Sequence, residues 1–185
     1  MKRILLTLAL IANSFLLYAI GRGLNIGDTE SGAPEVQQLV GTHMLIGLGA
    51  LTFAALVHAV VLTWFMGTGR FLEETSNAYS LPDRFYNRSQ QLKYQLLPGM
   101  TICLLLLVAT GALGAVADPA TPASLAGTLG VTDARIHLVG AIVLFACNMI
   151  MTLLEYRAVV GNSKVIDQVL AEVHRIRKER GLPVG

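Results

Sequence analysis

Charge is scarce in this chain. Of its 185 residues only 14 % are Asp, Glu, Lys or Arg, against 54 % hydrophobic, and that balance excludes an ordinary soluble domain. Cysteine is nearly absent. Cys103 and Cys147 both fall inside apolar stretches that no oxidising solvent reaches, so a structural disulfide is not expected and both read as apolar filler. No CxxCH haem-attachment motif, metal-binding cluster or internal repeat occurs. The loops 21–38 and 118–135 contain no aromatic residue and read as plain connectors. A net charge of +2 gives no reason to expect a nucleic-acid partner.

The missing charge has been removed from four long runs, at about 4–20, 39–66, 96–117 and 136–160. Crossing a hydrocarbon core of ~30 Å takes roughly 17 to 25 helical residues, so each run can span a bilayer, the first only barely. The fold class that follows is all-α: an integral membrane four-helix bundle over 1–160, then a cytoplasmic amphipathic helical tail over 161–185. Lys and Arg set the orientation. Lys2, Arg3, Arg70, Arg84, Arg88, Lys93, Arg157, Lys164, Arg175, Arg177, Lys178 and Arg180 fall on one side, and only Arg22 and Arg135 on the other. Both termini are therefore expected in the cytoplasm, with a bacterial inner membrane as the setting. Trp64, Phe65, Phe71, Tyr79, Phe85, Tyr86, Tyr94 and Tyr156 crowd the same side, as an interfacial aromatic belt does.

The first run, opening with Lys2-Arg3 and followed by Ala19 and Gly21, also resembles a secretory signal peptide. Its apolar stretch of 17 residues exceeds the roughly 7 to 15 of a signal core, so retention as a span is expected. The loop 67–95 reads as two short helical pieces, the second begun at Ser80-Leu-Pro-Asp, with Pro98-Gly99 allowing a bend beyond it. Gly161-Asn162-Ser163 is expected to end the fourth span and cap a separate tail helix. In that tail Ile166, Val169, Val173 and Ile176 recur at steps of three and four, a stripe expected to dock on lipid headgroups or on another subunit through residues 164–180.

Chemistry concentrates on spans two and four, which run in the same direction. His43 lies five residues into the second span and His137 two residues into the fourth, so both should lie near the outer face. Gly47, Ala50 and Ala54 fall within about 40° of the His43 direction, and Ala141, Leu144, Asn148 and Met151 within about 40° of His137. Two imidazoles on opposing helices, with small residues beside them, are what a b-type haem needs. His43 and His137 are the candidate axial ligands, Gly47 with Gly140 or Ala141 the candidate close approach, and Arg22 and Arg135 the candidate partners of the propionates. His58 lies about 22 Å deeper than His43, level with Met151 and Thr152, and His58, Asn148, Thr152 and Glu155 are expected to form a polar pocket near the cytoplasmic face for a quinone head group or for protons. Small and polar faces also let helices pack closely with no cofactor at all, so a haem-free reading of the same residues stays open.

The segments GTHMLIGLG around His43, HAVV at His58 and RIHLVGA around His137 carry a resemblance to the small b-type cytochrome and membrane-anchor subunits of respiratory complexes. The resemblance covers the four spans. It implies a helical bundle with paired histidines, working inside a larger assembly. The succinate dehydrogenase anchor pattern, a histidine soon followed by a glycine-histidine segment and an aspartate, is not present, so no family residue beyond the histidines is carried over. The expected function is that of a membrane subunit of an electron-transfer or energy-conserving complex. A haem-free structural or accessory subunit is the alternative, transport comes third, and catalysis by this chain alone is not expected.

Overall fold

A computed structural model describes residues 1–27 and 33–183. Asp28 and Glu30, which the charge count assigns to the first outer loop, lie outside the described residues. Four helices are long and apolar enough to cross a membrane: α1 (Lys2–Leu24), α2 (Pro34–Tyr79), α3 (Arg84–Val116) and α5 (Asp133–Glu179). A single turn, α4 (Ala126–Leu129), interrupts the link between α3 and α5. No strand occurs among the described residues, and the chain is an all-α integral membrane protein.

The local chemistry accounts for these boundaries. Pro34 opens α2 in the first turn, where a missing N–H costs nothing, with Glu35 beside it at the positive end of the helix dipole. Ser80 closes α2 in the left-handed region at φ 53°, and Pro82 then keeps the chain from continuing in the same direction. The short turn folds α3 back antiparallel on α2. Asp133 braces the start of α5, its carboxylate accepting hydrogen bonds from the Ser124 hydroxyl at 2.6 Å and the Leu125 N–H at 2.8 Å.

α2 and α5 run parallel and touch along the middle of the molecule, and α1 and α3 each pack against both of them. The principal core lies among these four helices, built from residues such as Leu5, Leu16, Ala50, Ala54, Val61, Phe65, Leu107, Leu144 and Val159. Outward-facing leucines, isoleucines and valines such as Leu45, Leu105, Val108 and Ile150 remain exposed along the spans and meet lipid.

Three expectations from the sequence are corrected here. The pieces foreseen in the 67–95 loop are continuous extensions of α2 and α3, and α3 passes through Pro98 without ending. The break expected at Gly161-Asn162-Ser163 does not occur, because packing outweighs the ~1 kcal/mol helix penalty of one glycine. Leu92 lies over Gly161, the Asn162 amide donates to the Thr68 hydroxyl at 2.9 Å, and Val165, Val169 and Val173 bury against Leu72, Leu81 and Phe85. Ile166 and Ile176 pack on the same cluster. The tail stripe is therefore covered by this chain's own α2–α3 hairpin, and no free stripe is left to dock elsewhere. At 47 residues α5 is about 70 Å long, more than twice the ~30 Å of a hydrocarbon core, so this second cluster forms a helical stem outside the membrane.

Candidate functional site

Parallel α2 and α5 meet at three polar levels. His43 faces His137, and Thr68 meets Asn162, both with the same register offset of 94 residues. Between them His58 reaches both Asn148 and Glu155, which bracket the position that offset would assign to it.

At the first level the imidazole centroids of His43 and His137 are 6.0 Å apart, with ring planes at 75°. Each ring is pressed by an outer helix at a glycine. A Cβ added to Gly23 on α1 would stand 2.9 Å from Cε1 of His43, and one added to Gly114 on α3 would stand 3.1 Å from Cε1 of His137. Each ring also lies beside a backbone carbonyl, that of Ala19 for His43 and that of Thr110 for His137. Nδ1 of both histidines is buried and has no hydrogen-bond partner. Buried imidazole nitrogens without partners are costly in a protein interior and call for a reason. Nε of Arg22, close by at the end of α1, is likewise buried and unpartnered, whereas Arg135 lies exposed two residues before His137. A Cβ at Gly47 would meet nothing within 4 Å, so the wall one turn below His43 is open. Among the described residues no group of three or more His, Cys, Asp or Glu could hold a metal ion.

The second level draws on all four long helices. His58 and Glu155 are both fully buried, and Nδ1 of His58 lies 2.6 Å from Oε1 of Glu155. Nε2 of His58 lies 3.1 Å from Oδ1 of Asn148. The Cys103 thiol on α3 donates to the same oxygen at 3.7 Å. From α1, the Asn13 amide donates to the Ala9 carbonyl at 2.8 Å and to the Thr152 hydroxyl at 3.2 Å, while its oxygen accepts from the Asn148 amide at 3.0 Å. The Thr152 hydroxyl donates to the Asn148 carbonyl at 2.9 Å. His58, Asn148, Thr152 and Glu155 are thus brought into one closed cluster whose polar atoms satisfy one another, except Oε2 of Glu155.

Two members of that cluster were missed in the sequence. Asn13 is a lone amide in the middle of an apolar run, and the cost of a polar group in lipid is the signal that marks it. Cys103 reads as filler by composition, and only the approach of α3 to α5 reveals its partner. Gly23 and Gly114 carry no sequence signal that separates them from the chain's other helical glycines. No known protein family matches this chain, and neither curated proteins nor solved structures match it.

Proposed function

We propose that this chain is a membrane subunit of an electron-transfer complex and holds one b-type haem between α2 and α5, ligated by His43 and His137. The observation that carries the reading is the pair of facing imidazoles 6.0 Å apart with both Nδ1 atoms buried and unpartnered. A metal held between two imidazoles by bonds of about 2 Å puts the ring centres about 6 Å apart. Two side-chain donors would suit a metal that arrives with further ligands of its own, as porphyrin iron does. A metal-bound histidine normally donates its other N–H to a carbonyl or carboxylate, a part that would fall to the neighbouring carbonyls of Ala19 and Thr110. Arg22, with its buried unpartnered Nε, is the base suited to a propionate, while Arg135 meets one only from the exposed rim.

The haem would supply one-electron transfer, and the chain would hold it in a dry, low-dielectric seam near the outer face, with both termini in the cytoplasm as the Lys and Arg distribution implies. A quinone head group at His58, Asn148, Thr152 and Glu155 would require that closed cluster to open. Partner subunits would meet the lipid-facing helices or the outer surface of the stem. The test is an absorption spectrum of the purified protein, oxidised and dithionite-reduced, after expression with ample haem. A low-spin b-type spectrum removed equally by His43→Ala and by His137→Ala is expected. A second reading, a haem-free accessory subunit, draws on the tight seating of both rings against Gly23 and Gly114, and a protein with no Soret band would establish it in place of the first.

A further inference from the structure

The hydrogen bonds of the second level fix where protons stand. The Ala9 carbonyl can only accept, so the Asn13 atom facing it at 2.8 Å is the amide nitrogen, and the Asn13 oxygen must face Asn148. Asn148 therefore spends its amide on Asn13 and presents its oxygen to His58. That oxygen also only accepts, so Nε2 of His58 carries a hydrogen. What remains is the 2.6 Å line between Nδ1 of His58 and Oε1 of Glu155, which holds one proton. With that proton on the acid the pair is imidazole and carboxylic acid; with it on the ring the pair is imidazolium and carboxylate. Both forms are neutral overall. Removing the proton leaves one net negative charge, and adding another leaves one net positive charge.

Unpartnered buried polar atoms lie beyond an apolar layer at both ends of this pair, Nδ1 of His43 and of His137 on one side and Oδ1 of Asn162 on the other, and the ends differ in that the cluster's own unpartnered atom belongs to Glu155, the member nearer Asn162. Toward His43 the cluster is capped by the buried apolar residues Ala50, Ala54, Leu107 and Leu144. In the other direction Oε2 of Glu155 has no partner, and two turns along α5 neither has Oδ1 of Asn162, with the unpartnered hydroxyls of Ser76 and Ser89 further on. Buried polar atoms without protein partners are where proteins hold water. A layer of Val61, Phe65 and Val159, all fully buried, separates Glu155 from Asn162. The titratable groups facing the pair are Cys103 from α3 and the pair itself on α2 and α5, while α1 contributes the neutral Asn13.

We propose that His58 and Glu155 form an intramembrane proton-binding site that holds a single exchangeable proton between Nδ1 and Oε1 and trades it with solvent through the Asn162 end of the bundle. The transfer is balanced: with the proton on the acid, the Oε1–H···Nδ1 bond breaks as the carboxyl group turns about Cγ–Cδ toward the side that Oε2 occupied, the O–H passes its proton to a water molecule as the carboxylate forms, and the reverse sequence returns it, while Nε2 keeps its hydrogen throughout. The site stands whether or not haem binds at the other end of the seam.

The experiment is nitrogen NMR of the histidine-labelled protein in lipid nanodiscs, from about pH 5 to about pH 10, with transfer into deuterated buffer. Nε2 of His58 is expected to stay protonated across the range. Nδ1 should show one titration and should deuterate, and Glu155→Gln should abolish that titration while leaving Nε2 protonated. Asn162→Leu should slow deuteration at least tenfold, and Leu107→Val, on the His43 side, should leave its rate unchanged. An Nδ1 signal that neither titrates nor deuterates would mean a locked structural pair and would overturn the proposal, and that measurement is made on the unaltered protein. Deuteration slowed by Leu107→Val and indifferent to Asn162→Leu would overturn the route.

Discussion

Consider what happens to stability when the His58 and Glu155 side chains are replaced by leucine, singly and together. Both are fully buried, and Nδ1 to Oε1 is 2.6 Å. His58→Leu strands two acceptors, Oε1 of Glu155 and one bond to Oδ1 of Asn148, the latter still served by the Cys103 thiol. A buried carboxyl group that loses its one partner while the rest of the cluster stays bonded costs ~3 kcal/mol, the low end of the ~3–5 kcal/mol of a broken buried pair. Glu155→Leu leaves a neutral imidazole still bonded to Asn148 with Nδ1 unpaired, again about 3 kcal/mol. The double replacement removes both demands and fills the same space with apolar atoms, so it should cost ~1 kcal/mol or less. Independent sites would add to about 6 kcal/mol, and the shortfall of roughly 5 kcal/mol is the coupling that a double-mutant cycle reads. Reversible unfolding in mixed micelles, followed by loss of helicity, gives the four free energies. Additive losses within about 0.5 kcal/mol would refute the reasoning, since groups in one hydrogen-bonded pair cannot behave as independent sites.

The remaining predictions concern the two ends of the bundle. Gly23→Ala places a methyl 2.9 Å from the His43 ring, whereas Gly21→Ala meets nothing within 4 Å. The first should be less stable than the second by about 1–3 kcal/mol, and under the haem reading it should also weaken the low-spin spectrum; equal melting points and equal spectra would contradict it. Cutting the chain after Ser163 uncovers Leu72, Leu81 and Phe85, so limited proteolysis should then strike the Ser80 turn and should spare it in the intact protein. Val169→Asp, at a fully buried position, should reproduce that sensitivity without truncation; resistance of both variants would mean the stem does not depend on the tail. A cysteine at Ser80 should be labelled only from the cytoplasm and one at Ala123 only from outside, and the reverse pattern would invert the assigned topology.

The spans were legible because lipid imposes one rule, a long run without charge, that few other environments imitate. Helical phase then placed His43 opposite His137 and grouped His58 with Asn148, Thr152 and Glu155, since a constant 100° step needs no tertiary knowledge. The tail failed for the converse reason. Its stripe of Ile166, Val169, Val173 and Ile176 announced a buried face, but periodicity names no occupant, and the occupant turned out to be Leu72, Leu81 and Phe85 from the same chain. Gly161 misled because a glycine that reads as a stop is here the place where Leu92 crosses close to the helix. Asn13 and Cys103 enter the polar cluster only because α1 and α3 both pack against α5, and pairings between helices far apart in sequence leave no trace in local spacing.

The shared offset of 94 residues between α2 and α5 restricts how this chain can change length. One residue inserted into α2 between His43 and His58 would turn everything below it by ~100° and advance it by ~1.5 Å, so His58 would swing away from Glu155 and Thr68 from Asn162 while His43 stayed in place. A single matching insertion in α5 between His137 and Asn148 would restore the depth but not the facing, because two parallel helices turned by ~100° in the same sense point their contact surfaces apart. Only a step close to whole turns, about seven residues placed in both helices at once, returns phase and depth together. Length variation in the two helices is therefore tied, and homologous chains should gain or lose residues between these levels in such matched steps or not at all.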